Sequence, residues 1–343
     1  MKRRILALLS AAALLATLLS GCGSKTNTDN SSASEAPTAG ADAGKGEDLI
    51  PIKIAFCTWV GYAPLFIAKD QGYFETYGYD ADLIIMEDES TYGSALVSGS
   101  IDALGQVLDR DIIQYDAGAP EQYVCTMDAS TGGDGLVATG DIQSVDDLKG
   151  KTVALDKSAT SYFFFLQVLA DSNITEKDVN IVEMGNDEAG EAFIAGNVDA
   201  AVTWEPQLSN CSQREGGHVL VSSADYPKAI MDVLTVNSNF TAKYPKANQD
   251  LAEIWNMAID YLNANYEAGC QIMADGLDLD LQDVKDSCEG ITFYGQDKNA
   301  EFADLTTEQN VMDVANQAAS FWLERGYMKS NDLSGFFPMI SAK

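Results

Sequence analysis

The chain has 343 residues, 46% of them hydrophobic, with 52 Asp and Glu against 21 Lys and Arg and a formal net charge of −31. Such a polyanion repels nucleic acid and anionic lipid headgroups, which argues against both as partners and leaves solubility, or attraction for cations, as the use of the charge. Six cysteines with no C-x-x-C, and a single histidine, give no metal-ligand spacing, so neither a metal nor any other cofactor is expected.

Lys2, Arg3 and Arg4 precede an apolar run over 5–19 that is short for a membrane anchor. The run ends in Leu19-Ser20-Gly21-Cys22, similar to the lipobox of bacterial lipoproteins. That likeness implies a signal peptide over 1–21, cleavage before Cys22 and a lipid on Cys22. Residues 22–48 are rich in Ser, Thr, Asn, Ala and Gly without apolar period, the composition of a disordered tether. The expectation is an extracytoplasmic protein held to the bacterial cell membrane by its lipid alone, with about −34 charge after cleavage.

Beyond the tether the predicted elements alternate. An apolar strand over 52–58 leads through Trp59-Val60-Gly61-Tyr62-Ala63-Pro64 into a helix over 65–71, which Gly72 stops. A strand over 78–86, a helix capped at 89–91, a helix over 111–118 and a buried strand over 122–127 follow. Residues 130–135, Ser-Thr-Gly-Gly-Asp-Gly, form a turn whose backbone is open to close approach. Next come a capped entry over 142–148, a strand over 151–155 and a helix over 162–170 that starts from Ser158-Ala159-Thr160-Ser161. Strands over 179–184, 219–222 and 231–237 and a helix over 188–195 complete this part. Helices over 249–265, 268–276 and 307–325 are expected to cover the first lobe and a hinge.

One stretch repeats another. Residues 95–103, ALVSGSIDA, echo residues 192–200, AFIAGNVDA, with Gly99 answering Gly196 and Asp102 answering Asp199. Each reads as a helix end, a Gly stop, an Asp turn and a short buried strand. Lys53-Ile54-Ala55-Phe56 and Thr152-Val153-Ala154-Leu155 echo each other as the opening strands of the two halves. Duplicated αβ units predict two similar lobes facing each other across a cleft.

These motifs, W-x-G-Y-x-P from Trp59, A-K-x-x-G-Y-F-x-x-Y-G from Ala68, L-K-G-K-x-V-A from Leu148 and F-x-A-G-x-V-D-A-A-V-T-W-E-P from Phe193, occur in the order seen in a known family. The chain resembles the nitrate/sulfonate/taurine-type substrate-binding proteins of ABC importers, which are related to thiamine-pyrimidine-binding proteins. The resemblance implies an α/β, two-lobed periplasmic-binding-protein fold of type II, each lobe a mostly parallel sheet flanked by helices. Lobe 1 would hold residues 49–136 and 234–343, and lobe 2 residues 137–233. The implied protein is a monomer that closes on a small-molecule solute and passes it to an ABC permease. The family spans binders of anions, zwitterions and heterocycles, so the resemblance leaves the solute open.

The candidate contacts follow the ends of the strands. Trp59 and Tyr62 stand at a helix-opening turn after a strand, where open α/β sheets bind ligands, with packing of the lobe edge as the alternative. Ser90, Thr91, Ser158, Thr160 and Ser161 stand at helix N-termini and either meet an anion or simply cap. Asp109 ends the echoed strand of one lobe, with a local ion pair or cap as the alternative, and Trp204 and Glu205 end that of the other, where Glu205 before Pro206 also reads as a carboxylate opening a helix. Asp134 lies in the Gly-rich turn, and Tyr162 adjoins three phenylalanines that suggest the core.

Three carboxylates among three aromatics, with Arg110 and Lys157 the only nearby bases, favour a cation or an amine-bearing solute such as guanidinium or a quaternary ammonium. The alternative is an anion (alkanesulfonate, taurine or nitrate) held by helix N-termini. An enzyme similar to the pyrimidine-forming branch of the fold is the rival class, and it would have to use His218, the only histidine. A purely adhesive or structural lipoprotein is a third reading. Beyond Cys22 there are five cysteines, an odd number; Cys57 and Cys125 read as small hydrophobes in buried strands, and a Cys270–Cys288 bridge is left open.

Overall fold

The computed structural model describes residues 49–158 and 160–338. The expected signal peptide, Cys22 and the tether lie outside the described residues. Eleven strands among the described residues form two sheets. The first contains β1 (Ile50–Phe56), β2 (Tyr79–Ile85), β3 (Ala103–Val107), β4 (Glu121–Ser130), β10 (Met231–Asn237) and β11 (Ile291–Phe293), in the order β11-β4-β10-β3-β1-β2. The second contains β5 (Asp134–Thr139), β6 (Thr152–Leu155), β7 (Asn180–Glu183), β8 (Ala200–Trp204) and β9 (Gly217–Ser222), in the order β7-β6-β8-β5-β9. Each sheet has a parallel half, β2-β1-β3 and β7-β6-β8, and an antiparallel half attached to it. The chain passes between the sheets at residues 131–133 and 223–230, a few residues before the boundaries expected at 136/137 and 233/234.

Strand alternation explains why both sheets are buried on two faces. In the second sheet Leu136, Val153, Leu155 and Val202 enter one core cluster, while their neighbours Val137, Ala154 and Ala201 enter another. In the first, Ile54 and Ala103 pack on one side, and Ala55 and Leu104 on the other. Apolar residues at every position are what a parallel strand covered on both faces requires.

The echo between the halves is structural as well. Gly99 and Gly196 both take the left-handed conformation, φ +71° and +78°, just after a helix. Asp102 accepts the Lys53 N–H at 3.0 Å while its own N–H donates to the Lys53 carbonyl at 2.8 Å. Asp199 does the same with Thr152, at 2.8 and 3.0 Å. Each Asp thereby ties its αβ turn to the first residue of an echoed strand.

The helix Ala247–Ala264 and the helix Tyr266–Leu277 cover the first sheet through Trp255, Ile259 and Met273. The helix Val311–Glu324 reaches further than the first lobe. Its Trp322 and Phe321 stack on Phe163 of the helix Thr160–Asp171 beside the second sheet, at 5.6 and 5.0 Å between ring centroids. The short helices Gln207–Ser212, Ser238–Lys243, Leu281–Glu289 and Gln296–Phe302 and the strand β11 were not anticipated from the sequence. Most are one or two turns long, too short for an apolar period to register.

Candidate functional site

The C-terminal ends of β1, β3 and β8 and the start of the helix Thr160–Asp171 converge on a narrow cleft between the sheets. Trp59 and Tyr62 enter it from the turn after β1, Trp204 from the end of β8, Asp134 from the first residue of β5 and Asp232 from the second of β10. Glu89, Thr160, Cys57, Val107 and Ile230 complete the lining. The lining residues leave a cavity of about 10 Å³, room for about one water molecule.

Carboxyl groups dominate it. Trp59 donates its indole N–H to Asp128 at 3.2 Å, and the Tyr62 hydroxyl donates to Asp232. Asp128 and Asp232 face each other across the β4–β10 pair. Burial raises Asp232 well above the carboxylate range, and the Asp128 charge beside it raises it further. Burial also lifts Asp128 to about 7, against the hydrogen bonds that Asp232 and Trp59 supply. Asp134 is lifted to about 7 by burial and by Glu205, with the Ser130 hydroxyl opposing. Glu89 is lifted to about 8 by burial, opposed by Arg110 and reinforced by Asp156 and Asp232. Glu89 Oε2, Asp128 Oδ2 and the Thr160 hydroxyl are buried without partners. Among the described lining residues there is no Lys, Arg or His.

Two glycines make room for this arrangement. A Cβ on Gly61 would lie 2.1 Å from Asp128 Oδ2 and 2.2 Å from the Trp59 indole nitrogen, and one on Gly133 would lie 2.7 Å from the Trp59 ring. The Gly-rich turn therefore approaches protein. Besides Trp59, it meets Gly290, whose carbonyl accepts the N–H groups of Thr131 and Gly133.

Of the residues singled out from sequence, Trp59, Tyr62, Asp134, Thr160 and Trp204 meet at the cleft. The others stand elsewhere for identifiable reasons. Ser90 spends its N–H and hydroxyl on the Asp88 carboxylate, and Thr91 its hydroxyl on the Asp88 carbonyl at 2.7 Å. Ser158 is bound to Asp156 through its N–H at 2.7 Å and its hydroxyl at 2.6 Å, and Ser161 donates to Asn186. The hydroxyls of Ser90, Thr91 and Ser158 form local turns and caps, and that of Ser161 ties its helix to the start of the helix Asn186–Ile194. Glu205 accepts the Ser209 N–H and hydroxyl at 3.1 and 2.8 Å and so caps the helix Gln207–Ser212.

Asp109 departs most from its expected place. β3 ends at Val107, and the helix Leu108–Asp116 starts at once, so two residues of helical rotation turn Asp109 away from the cleft that Val107 lines. Its Oδ2 accepts the Trp322 indole N–H at 3.0 Å. Tyr162 is core, its hydroxyl donating to Glu176 and its ring facing Trp322, and Lys157 lies 5.3 Å over that ring. Cys270 and Cys288 are free thiols.

Glu89, Asp128 and Asp232 were missed. The last two had a readable signal, since each is a lone acid inside an apolar strand, Val124-Cys125-Thr126-Met127-Asp128 and Ile230-Met231-Asp232-Val233-Leu234. A carboxyl in such a run is either on an edge or buried for a purpose.

A family model described as NMT1-like matches residues 45–274. A putative aliphatic sulfonates-binding protein of Bacillus subtilis is 25% identical over 234 residues, covering 65% of this chain and 69% of its own. The periplasmic aliphatic sulphonate binding protein SsuA from Escherichia coli superposes with a TM-score of 0.69 at 19% identity, over 86% of this chain and 99% of that one. The periplasmic nitrate-binding protein NrtA from Synechocystis gives 0.66 at 16% identity, over 86% of each chain. The desulfurization enzyme DSZB gives 0.59 at 14% identity, over 84% of this chain and 96% of that one. These likenesses establish the periplasmic-binding-protein fold.

Proposed function

The chain belongs to the NMT1-like family, and from that premise we propose that it is the extracytoplasmic solute-binding protein of an ABC importer whose cleft takes a small cationic or amine-bearing solute. One observation carries the choice of solute. Glu89, Asp134 and Asp232, backed by Asp128, share the cleft with Trp59, Tyr62 and Trp204, and there is no base among its described lining residues. In a dry cleft each such carboxyl needs either a proton or a positive partner. A cation takes the place of the protons, and the aromatic faces add about 0.5–2 kcal/mol each. The lipid on Cys22, the tether over 22–48, the monomeric state and delivery to a membrane permease belong to the same proposal.

A carrier accounts for the cleft better than an enzyme does. His218 lies on β9, away from the lining, and burial raises the Cys57 thiol well above its usual range, which leaves it a poor nucleophile. With the desulfurization enzyme the chain shares a fold, and fold does not carry chemistry.

The sulfonate- and nitrate-binding relatives favour a second reading, an anion, and lend the cation no support. Arg110 provides the structural observation for it, since its Nη1 is buried without a partner and its charge reaches Glu89. Protonated carboxyls could then donate to sulfonate or nitrate oxygens.

Titration calorimetry with guanidinium, choline, glycine betaine, taurine, an alkanesulfonate and nitrate separates the two. Saturable binding of guanidinium or choline, weakened at least about tenfold in Asp232→Asn and Glu89→Gln, is the expected result. Saturable binding of the sulfonates or nitrate alone would reject the cation and leave the carrier standing.

A further inference from the structure

The two places where the chain passes between the sheets are joined by a pair of serines. Ser130 closes β4 just before the first crossing, and Ser223 opens the second directly after β9. Both are fully buried, and their hydroxyl oxygens lie 2.7 Å apart. The Gly132 N–H donates to Ser223 Oγ at 2.8 Å, and the Asp134 N–H reaches Ser130 Oγ at 3.1 Å and Ser223 Oγ at 3.4 Å. Asp134 is the first residue of β5 and lines the cleft.

Counting donors fixes the direction of this chain. The Ser223 hydroxyl is met by two N–H groups and by Ser130, and of these only Ser130 can accept its proton. Ser130 cannot return its own proton along the same bond. The acceptor left to it is the Asp134 carboxyl, whose charge it favours against burial. The bonds therefore run one way, from the Gly132 N–H through Ser223 and Ser130 to Asp134, and hydrogen bonds in series strengthen one another. The titratable groups that face Asp134 work in the opposite sense. Glu205 follows the end of β8, Asp128 stands on β4, Asp232 on β10 and Glu89 in the shared lining, and all four are acids. Each of them opposes a charge on Asp134, and the serine relay supports it.

We propose that Ser130 and Ser223 are positioning residues for the cleft, whose one-way hydroxyl relay across both crossings holds the Asp134 carboxylate and supports its charge for a cationic solute. The proposal rests on the reading that such a solute enters the cleft. It adds that affinity is set in part by two buried hydroxyls that the solute does not reach.

The first test needs no solute. Protein labelled with ¹³C at the aspartate carboxyl carbon is titrated with pH by NMR, and the Asp134 signal is identified by its absence from Asp134→Asn. Ser130→Ala should raise the Asp134 midpoint by at least about half a pH unit, the scale of one lost hydrogen bond to a charged group. Ser223→Ala should raise it by less, because Ser130 keeps its proton for Asp134 and loses only the bond that polarises it. A smaller rise or a fall in Ser130→Ala, or no rise in Ser223→Ala, overturns the relay whatever the cleft binds. Ser130→Cys, similar in size and a weaker donor, takes the place of Ser130→Ala if that variant does not fold.

The second test is guanidinium binding by calorimetry at low and high pH. Ser130→Ala should bind about threefold or more weakly than wild type near pH 5.5 and almost equally near pH 9, where Asp134 is ionised in both. A loss of the same size at both pH values would mean that the hydroxyl only packs, and it overturns the proposal. Guanidinium that fails to bind even wild type rejects the cationic solute, and the carboxyl titration then decides the relay alone.

Discussion

Asp128 and Asp232 stand directly opposite each other in the antiparallel pair of β4 and β10, both fully buried. Burial and then the Asp128 charge raise Asp232 well above the carboxylate range, so away from water the pair resists losing both of its protons. The Trp59 N–H and the Tyr62 O–H donate to the same pair, which fixes both aromatic rings at the cleft. Aromatic surface and acidic charge are therefore one assembly, whose protonation state is coupled to whatever enters.

Stability should fall as pH rises. Asp109, Asp128 and Asp134 are raised to about 7 and Glu89 to about 8, all chiefly by burial. A carboxyl whose folded pKa lies above its unfolded value contributes stability that is complete below the unfolded pKa, near 4, and is lost as pH rises through the folded value. The window is about pH 4 to 8. Differential scanning calorimetry should show a Tm at pH 8 at least about 5 °C below that at pH 5. A flat profile would mean that these carboxyls are solvated.

The same protons identify the ligand class. A cation displaces them, so binding near pH 7 should release protons, and affinity should strengthen by up to about tenfold per pH unit for each proton released between pH 5 and 7. An anion held by the protonated carboxyls and Arg110 would take protons up and bind more weakly as pH rises. Calorimetry in phosphate and in Tris, whose ionisation enthalpies differ, gives the sign directly. Proton uptake would exclude the cation.

What could be read from sequence was what local chemistry repeats. A Gly stop and an Asp three residues later, both times before an apolar strand, gave away the two αβ units, because each Asp bonds the same backbone group. Trp59, Tyr62 and Trp204 were recognisable because a strand end is where an open sheet exposes side chains. The Asp128–Asp232 pair was hidden, since it depends on a register between strands about a hundred residues apart. Asp109 was misjudged because the immediate switch from strand to helix at Leu108 changed the rotation per residue. Ser90, Thr91, Ser158 and Ser161 show the remaining difficulty: a hydroxyl at a helix start looks the same whether it awaits a ligand or bonds its neighbour.

Gly61 should not tolerate a side chain. The space that a Cβ would need is already filled by Asp128 Oδ2 and the Trp59 indole nitrogen, neither of which can retreat within a close-packed core. Gly61→Ala is expected to cost about 1–3 kcal/mol by chemical denaturation and to separate Trp59 from Asp128. The second effect should appear as changed Trp59 fluorescence and weaker solute binding. Wild-type stability in the variant would place Trp59 elsewhere in solution.

Asp102 and Asp199 should prove energetically interchangeable. Each accepts one strand N–H and returns its own N–H to the same residue's carbonyl, Lys53 in one half and Thr152 in the other. Both are half-buried, so water can replace the lost acceptor only in part. Asp102→Ala and Asp199→Ala should each cost about 1–2 kcal/mol, while the Asn variants, whose side-chain oxygen can still accept, should lose less than half of that. If the second half were only an accidental likeness of the first, the two Ala variants would differ, and Asn would rescue one position and not the other. Urea unfolding of the four variants measures this, and matched losses with matched rescue are the outcome that the shared turn requires.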